Sequence, residues 1–253
     1  MSKPIIPWPG GKRRLAKHIL PLFDRPHRTY VEPFAGGAAM LFMRHQPAPV
    51  EVINDVDSDL VTLYRCVQHH LDELVRQFRW SLVSREMFAW AKRQDTSTLT
   101  DIQRAARFYY LQKLAFGARV KGRTFGVKSN AMPSFNLLRI EQDLSDAHLR
   151  LARVWIENLP WQDVVRRYDT PETLFYLDPP YWQTAGYGKD FPIEQYEQLA
   201  AVMGGLKGRA VLSINDHPEM RRIFAQFDQQ QLSIVYTPGL QPKAASELLI
   251  TKG

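Results

Sequence analysis

The residues best suited to chemistry stand together in the sequence LFYLDPPYWQ, residues 174–183. The apolar run before Asp178 is typical of a buried strand, which the two prolines end. The rigid Pro179–Pro180 turn aims the Asp178 carboxylate and the Pro179 carbonyl at one point. Tyr181 adds a flat face for a planar ring. Two acceptors beside a stacking surface predict a site for the exocyclic amino group of an aromatic base, whose nitrogen lone pair they would free for attack.

Two other segments place glycines or carboxylates directly after predicted strands. Gly36 and Gly37 follow a strand in VEPFAGG, where glycine permits a tight turn and close ligand approach. Asp55 follows a strand in VEVIND, where a carboxylate can accept two ribose hydroxyls. Asp57 and Asp59 are typical of carboxylates at a helix N-terminus. Ligands of open α/β sheets bind beyond the carboxyl ends of the strands, so these ends are where a site is predicted.

Several classes of protein are disfavoured by the sequence. It has no G-x-G-x-x-G fingerprint, and the Gly-Gly-Lys at 10–12 lacks the earlier glycine and the Ser/Thr of a phosphate loop, which argues against a kinase or ATPase. The single cysteine, Cys66, can form neither an internal disulfide nor a cysteine-based metal site. No apolar run approaches the ~18 residues of a membrane span, and no signal peptide is evident, so a cytoplasmic protein is predicted.

Short apolar runs alternate with helical patterns over much of the chain. The predicted strands are 29–34, 50–55, 154–158, 173–178, 210–216, 232–237 and 247–251. The predicted helices between them include 37–45, 192–206 and 217–227. This alternation predicts an open α/β sheet covered on both faces. The last two strands have no evident helix between them, so they are expected to form a hairpin with an antiparallel edge.

The interval 58–147 has a different character and predicts an inserted, mainly α-helical domain. Its predicted helices are 58–79, 85–94 and 101–116, followed by a basic hairpin or loop over 116–136. Residues 61–150 hold 15 Lys and Arg against 8 Asp and Glu, which accounts for the net charge of +7 of the whole chain. This asymmetry predicts a polyanion partner, and a solvated basic face is the alternative.

The combination of DPPY, VEPFAGG and PWPGGK resembles the Dam-type, or D12-class, N6-adenine DNA methyltransferases, and IND at 53–55 and ELLIT at 247–251 fit the same pattern. The resemblance implies a Rossmann-like class I methyltransferase sheet. It implies a catalytic domain from 1–57 and 148–253, and a DNA target-recognition domain over 58–147 that carries the basic hairpin. The host role is open between a phage or prophage self-protection enzyme, a restriction partner and a housekeeping methylase, and the compactness of the chain favours the stand-alone phage type.

The resemblance also implies S-adenosyl-L-methionine as cofactor and assigns residues to its site. Trp8 and Lys12 would line that site, while Asp55 would take the ribose hydroxyls. The methionine part would be held by three residues of the glycine loop: Glu32, Phe34 and Gly36. Asp178 would contact both cofactor and substrate. Asp163, in LPWQDVV, either contacts the cofactor adenine or serves as a helix N-terminal carboxylate. Ala38 stands where the family often has glycine.

For the substrate, the resemblance implies an adenine flipped out of double-stranded DNA. The catalytic residues would be Asp178, Pro179, Pro180 and Tyr181, with no metal ion and no covalent enzyme intermediate. Three basic residues of the insert are the candidates for DNA contact: Arg119, Lys121 and Arg123. A monomer is expected. The alternatives are an N4-cytosine DNA methyltransferase, an RNA amino-methyltransferase and a catalytically silent DNA-binding relative.

Overall fold

The structure, a computed structural model, describes residues 3–10, 12–126, 134–184, 191–236 and 243–253. The strands in this part are β1 Thr29–Glu32, β2 Val50–Asn54, β3 Val154–Glu157, β4 Thr173–Leu177, β5 Arg209–Asn215, β6 Asp228–Tyr236 and β7 Lys243–Lys252. The α-helices are α1 Ala16–Ile19, α2 Ala39–Met43, α3 Ser58–His69, α4 Leu71–Phe78, α5 Arg85–Arg93, α6 Asp101–Leu114, α7 Leu137–Leu151, α8 Trp161–Tyr168, α9 Ile193–Gly205 and α10 Pro218–Ile223. Short 3₁₀ helices span Lys12–Arg14, Leu20–Phe23, Thr96–Thr98 and Phe116–Ala118. None of the helices in these ranges has the length and apolar character that crossing a bilayer requires.

The strands of the described chain form one sheet in the order β3-β2-β1-β4-β5-β7-β6. The first five strands run parallel, whereas β7 is antiparallel to both β5 and β6. The predicted open α/β sheet and its antiparallel edge are therefore confirmed. The chain order reverses between β1 and β4, and this topological switch point is where such sheets bind ligands.

Helices cover both faces of the sheet, which explains why its strands are almost continuously apolar. On β1, Tyr30 enters the core on one face and Val31 the core on the other. On β4, Tyr176 packs into the same core as Tyr30, and Phe175 packs into the same core as Val31. Helices α8, α9 and α10 cover the Val31 face. Because both faces are packed, the rigid strand ends can hold side chains in fixed positions at the carboxyl edge.

The single helix predicted over 58–79 is wrong, because the structure has two helices, α3 and α4, that meet at His70. His70 has φ −134° and ψ 42°, which are not helical angles. Apolar residues recur at helical spacing on both sides of it, among them Cys66 and Leu74, which are buried in the same core. The hydrophobic pattern therefore continues through the break and cannot reveal it.

Helices α3 to α7 lie between β2 and β3 in sequence, where the insert is predicted. Their buried side chains, such as Leu60 and Phe108, belong to the same hydrophobic core as Tyr30 of the sheet. After α6 the backbone turns back on itself, since Phe116 N donates to Thr124 O (2.8 Å) and Gly126 N donates to Leu114 O (2.8 Å). The part of the predicted basic hairpin over 127–133 lies outside the described residues. The division into two domains stays a prediction.

Candidate active site

A cavity of about 340 Å³ opens at the carboxyl ends of β1, β2 and β4. Gly36 follows β1, Asp55 follows β2 and Asp178 follows β4, and all three line it. Trp8 of the N-terminal segment and Trp161 of α8 complete its walls. This volume falls in the range of small-molecule sites. The structure thus brings together residues from three separate sequence motifs at the switch point of the sheet.

The turn after β1 requires glycine at position 36. Gly36 has φ +48°, a left-handed conformation, and a Cβ placed on it would lie 2.3 Å from Trp8 Nε1. Its N–H donates to Asp55 Oδ2 (2.9 Å), and its carbonyl accepts from the Tyr64 hydroxyl (2.7 Å). The buried Ala38, at the position where the family often has glycine, has φ 47°. The loop therefore follows a left-handed path at both positions while its backbone faces the cavity.

Asp55 is fixed by the backbone on both of its oxygens. Besides Gly36, Asp57 N donates to Asp55 Oδ1 (2.9 Å). Burial raises the pKa of Asp55 to about 6, against the lowering effect of these hydrogen bonds. Asp57 caps α3, because its Oδ1 accepts from Asp59 N (3.0 Å) and Leu60 N (3.4 Å). The predicted helix N-terminal role of Asp57 is therefore confirmed, and Asp55 is the carboxylate that lines the cavity.

Asn54, which the sequence prediction passed over, ties three strand ends together. Its Nδ2 donates to Pro33 O (2.9 Å) and Leu159 O (3.0 Å), and its Oδ1 accepts from Leu159 N (2.8 Å). The residue is buried and lines the cavity. Its position directly before Asp55, at the end of a predicted strand, could have indicated that Asn54 lies at the site. Asn54 fixes the relative positions of the loops that follow β1, β2 and β3.

The turn after β4 is clamped from two neighbouring elements. The Tyr196 hydroxyl of α9 donates to the Pro180 carbonyl. Asn215, the last residue of β5, accepts from Trp182 N (3.0 Å) and donates to Trp182 O (3.1 Å). These bonds add to the stiffness of the two prolines. The turn is therefore held rigidly in the orientation that presents Asp178 to the cavity.

The Asp178 carboxylate makes its described side-chain contacts through one oxygen. Oδ1 lies 2.9 Å from Lys12 Nζ and accepts from Ser213 Oγ (3.2 Å). Burial raises the pKa of Asp178, and the Lys12 ammonium lowers it in part. Within the described chain, the second oxygen, Oδ2, is the one left to meet a ligand in the cavity.

Tyr181 is anchored through its hydroxyl. This hydroxyl bonds to Lys12 Nζ and to Glu247 Oε2, and Lys12 Nζ lies 4.0 Å from the centroid of the Tyr181 ring. Lys12 lines a second cavity of about 410 Å³, which shares Asp178 and Trp8 with the first. Asp178 thus stands between two cavities. Sequence reasoning missed Glu247, although it noticed the ELLIT segment that begins with it.

An aromatic wall bounds the cavity on the side of α8. The ring centroid of Phe34 lies 5.9 Å from that of Trp161 and 5.7 Å from that of Phe191. Trp161 Nε1 donates to Gln195 Oε1 (3.0 Å), which fixes the indole. Such a wall suits a planar ring. The sequence analysis predicted neither Trp161 nor Phe191 as a site residue, although Trp161 lies only a few residues after the predicted strand 154–158.

Asp163 is not brought into this cavity. Its side chain is 45% exposed and pairs with Arg166, one helical turn on, at 3.2 Å. It lies in the first turn of α8, as the helix N-terminal interpretation requires. Its neighbours Trp161 and Gln162 line the cavity instead. The predicted contact of Asp163 with the cofactor adenine stays a prediction.

Glu32 is a fully enclosed carboxylate beneath the site. Its Oε1 accepts from the Tyr30 hydroxyl (2.8 Å) and from Leu41 N (2.7 Å). Burial raises its pKa to about 7, against the lowering effect of these bonds, and the nearby Asp178 carboxylate contributes to the rise. It lines the second cavity. Glu32 therefore fastens the turn after β1 to the start of α2.

We expect Glu32 to make the protein less stable as the pH rises. The pKa of Glu32 in the folded state, about 7, exceeds the ordinary value of 4.5. Its contribution to the free energy of unfolding is therefore fully present below pH 4.5 and is lost as the pH rises through 7, which amounts to about 2 kcal/mol between pH 5 and pH 8. Glu32→Gln keeps the acceptor oxygen and should remove this loss. Urea unfolding of both proteins at several pH values measures it, and parallel pH curves would contradict the assignment.

The three candidate DNA-binding residues differ in their surroundings. Arg119 and Lys121 are exposed, whereas Arg123 is half-buried. The Arg123 guanidinium donates to Gln112 Oε1 through Nε (3.2 Å) and Nη2 (3.0 Å) and lies 4.8 Å from the Phe108 ring centroid. Arg123 is therefore bound within the protein, and Arg119 is placed on the surface.

Gln112 links the basic hairpin to the segment before Trp8. This buried amide donates to Pro7 O (3.0 Å) and Ala118 O (2.7 Å) while it accepts from Arg123. Val120 of the same hairpin lines the first cavity. All the hydrogen-bonding capacity of the Gln112 amide is used in these contacts. The described part of the basic hairpin that holds Ala118, Val120 and Arg123 is thus fixed against a wall of the cavity.

The parallel sheet with an antiparallel β7, the cavity at its switch point and the acidic and aromatic groups around that cavity define a class I methyltransferase. The family model of the D12 class N6 adenine-specific DNA methyltransferase matches residues 8–236. The chain belongs to this family. Its activity is the site-specific methylation of adenine N6 in DNA, with S-adenosylmethionine as the methyl donor.

Curated relatives agree with this family over most of their length. The type II methyltransferase M.CviBI of Paramecium bursaria Chlorella virus NC1A is 25% identical over 88% of this chain and 86% of that protein. M1.LlaDCHI, a type II methyltransferase of Lactococcus lactis subsp. cremoris, is 24% identical over 98% and 95%. The DNA adenine methylase of Escherichia coli (strain K12) is 25% identical over 87% and 82%. The resemblance predicted from the motifs is therefore confirmed.

Proposed function

We propose that the chain methylates adenines that are flipped out of double-stranded DNA, with Asp178 and the Pro179 carbonyl as acceptors for the N6 amino group. The observation that carries this proposal is the one-sided bonding of Asp178. Lys12 and Ser213 hold Oδ1, and Asp178 lines the cavity, so Oδ2 is the oxygen that would accept from N6. A base inside a duplex cannot reach this position, which lies in a cavity at the edge of the sheet.

The residues of the first cavity fit S-adenosylmethionine. Asp55 offers acceptors for two ribose hydroxyls, and Trp161 offers a ring face for the adenine moiety. Phe34 and Gly36 line the same cavity, where they would hold the methionine part. When bound, the cofactor supplies an electrophilic methyl group. The protein supplies orientation and electrostatics, and no metal ion has a part in this proposal.

The turn after β4 would prepare the amino group for reaction. An aromatic amine is a poor nucleophile because its lone pair is delocalised into the ring. Acceptors on both N6 hydrogens favour a pyramidal nitrogen with a localised lone pair, and the fixed carboxylate requires no reorganisation as charge develops. Asp178 also lies where it can take the proton that N6 must release. Tyr181 would stack on the base through the ring face opposite Lys12.

The basic hairpin after α6 would contact the DNA phosphates. Arg119 and Lys121 are exposed there, and Val120 between them lines the cofactor cavity, so DNA on the hairpin would lie beside the site. We propose a monomeric enzyme that acts in the cytoplasm of a bacterial or phage-infected cell. The type II names of two relatives and the viral source of one support a role in restriction–modification or phage self-protection.

Removing Arg119 should weaken DNA binding without destabilising the protein. Each Lys or Arg that no longer neutralises a phosphate lowers the slope of log affinity against log salt by about 1. Arg119→Ala is expected to show this decrease with an unchanged melting temperature. Arg123→Ala should lower the melting temperature as well, because its guanidinium is bound to Gln112. Fluorescence anisotropy over a salt series and thermal unfolding make the comparison; equal salt slopes for Arg119→Ala and wild type would contradict it.

Methyl transfer from labelled S-adenosylmethionine to unmethylated duplex DNA, followed by digestion to nucleosides, tests the proposed function. We expect the label in N6-methyladenine, with a rate that depends on Asp178. Comparing a duplex with a mismatch at the target adenine tests base flipping, because an unpaired base is easier to extrude and should be bound more tightly. Label in cytosine, or label only in RNA, would contradict the assignment of adenine in DNA as the substrate. Cofactor binding without any methyl transfer would contradict the proposed mechanism.

A further inference from the structure

A chain of four polar side chains, three of them buried, connects the hairpin strand β7 to the proposed catalytic carboxylate. Glu247 of β7, at 2% exposure, bonds through Oε2 to the Tyr181 hydroxyl. The same hydroxyl bonds to Lys12 Nζ, which lies 2.9 Å from Asp178 Oδ1. We call this set of residues the Glu247–Asp178 chain. Its two ends are carboxylates, and its one cation lies next to Asp178.

The chemistry of these groups fixes the direction of the hydrogen bonds. An ammonium can only donate, an ionised carboxylate can only accept, and a hydroxyl has a single proton to give. The Tyr181 proton must therefore point to Glu247, and its lone pairs must face Lys12. Lys12 then donates to both Tyr181 and Asp178. Replacing Glu247 with an apolar residue removes this acceptor for the Tyr181 hydroxyl.

We propose that Glu247 is a positioning residue for methyl transfer. Glu247 accepts a hydrogen bond from the Tyr181 hydroxyl, so the oxygen of that hydroxyl is left to accept from Lys12. Lys12 is thereby held against Asp178 Oδ1, and Oδ2 remains for the adenine amino group. The proposal rests on the proposed role of Asp178. Glu247 acts on Asp178 through the Tyr181 hydroxyl and the Lys12 ammonium.

Stability alone does not account for an acid at this position. Glu247 lies between Ser246 and the buried apolar residue Leu248 on β7, a strand paired on both sides. Removing a carboxylate from water costs free energy. Replacing a buried ionic network with apolar side chains of similar volume often leaves protein stability unchanged or increases it. A role in orienting the hydrogen bonds of Lys12 explains the presence of Glu247. Electrostatic catalysis requires charges that are fixed around the reacting group, and Lys12 is the charge next to Asp178.

Glu247→Leu should therefore lower kcat by about 10-fold to 100-fold, the loss expected when a reacting group is slightly misplaced. KM for DNA and for S-adenosylmethionine should stay within about threefold, since Glu247 contacts neither in this proposal. Glu247→Gln keeps an oxygen that can accept the Tyr181 proton, so it should recover most of the rate. Ser246→Ala, adjacent on β7 but bonded to Asp216 and Gln231, is the matched control and should keep the wild-type kcat.

A double-mutant cycle separates this role from simple packing. Tyr181→Phe removes the hydroxyl through which Glu247 acts, so adding Glu247→Leu to it should change kcat by less than about twofold. Additive losses of kcat, or a Glu247→Gln variant as slow as Glu247→Leu, would overturn the proposal. Asp178→Asn is assayed in parallel. If it keeps the wild-type rate, the proposed function fails; if it is slow while Glu247→Leu is not, only the role of Glu247 fails.

Discussion

Asp178→Asn should lower the rate of methyl transfer by about 100-fold to 1,000-fold, the range found when one preorganised electrostatic contact is removed from an active site. An asparagine keeps one acceptor oxygen but carries two N–H donors. If the oxygen faces Lys12, the amide nitrogen faces the adenine amino group, and two donors then oppose each other. If the amide is reversed, the Lys12 ammonium meets a donor instead of Oδ1, 2.9 Å away. Either arrangement removes an interaction that the reaction needs.

Single-turnover methylation at saturating DNA and cofactor measures this effect, because it excludes product release. Asp169→Asn is a suitable control, since Asp169 accepts from the backbone N–H groups of Lys207 and Gly208 ahead of β5, at the opposite edge of the sheet. We expect that variant to retain the wild-type rate. A wild-type rate for Asp178→Asn would show that the carboxylate is not the acceptor for N6.

The acid-side pH dependence of the same reaction follows from the burial of Asp178. Burial raises the pKa of this carboxyl above its ordinary value, and only the ionised form is a pure acceptor. The single-turnover rate is therefore expected to fall at a higher pH than an exposed aspartate would cause. The neighbouring Lys12 limits the rise, so its charge helps to keep Asp178 ionised during the reaction.

The sequence predicted the sheet and the positions of the main site residues because both are encoded locally. Each buried strand is a short apolar run, and the polar residue that directly follows it must lie at the carboxyl edge. Asp55 and Asp178 could be placed in this way from their immediate neighbours. The hairpin of β6 and β7 was predicted in the same way, but the pairing of β7 with β5 was not, because β6 separates these two strands in sequence.

The residues that escaped prediction depend on long-range contacts or on helix rotation. Glu247 bonds to Tyr181 across 66 positions of sequence, a contact that only the sheet order creates. In α8, successive residues are rotated by about 100°, so Trp161 and Gln162 can face the cavity while Asp163 turns toward Arg166. The charge of Arg123 was visible in the sequence. The hydrogen bond from Arg123 to Gln112 was not visible, because it depends on the burial of Gln112, whose amide then needs a partner within the protein.

Gly36→Ala should weaken S-adenosylmethionine binding by about tenfold or more, which corresponds to about 1.4 kcal/mol of binding free energy. The added Cβ would lie 2.3 Å from Trp8 Nε1 and 2.6 Å from Trp8 Cδ1, so the indole must move. That indole lines the cavity proposed for the cofactor. The φ of +48° also disfavours alanine, which costs about 1–2 kcal/mol of stability. Titration calorimetry with the cofactor and thermal unfolding measure the two effects separately.

Gly122→Ala distinguishes the steric effect from the backbone strain. Gly122 has φ +64°, similar to Gly36, but a Cβ placed there meets nothing within 4 Å. Both substitutions should therefore cost stability through backbone strain, and Gly36→Ala should cost more because its Cβ also displaces Trp8. Only Gly36→Ala should weaken cofactor binding in the absence of DNA. Equal cofactor affinities for Gly36→Ala and wild type would show that Trp8 has no part in the site. Equally weakened binding in both variants would assign the effect to strain rather than to the contact between Gly36 and Trp8.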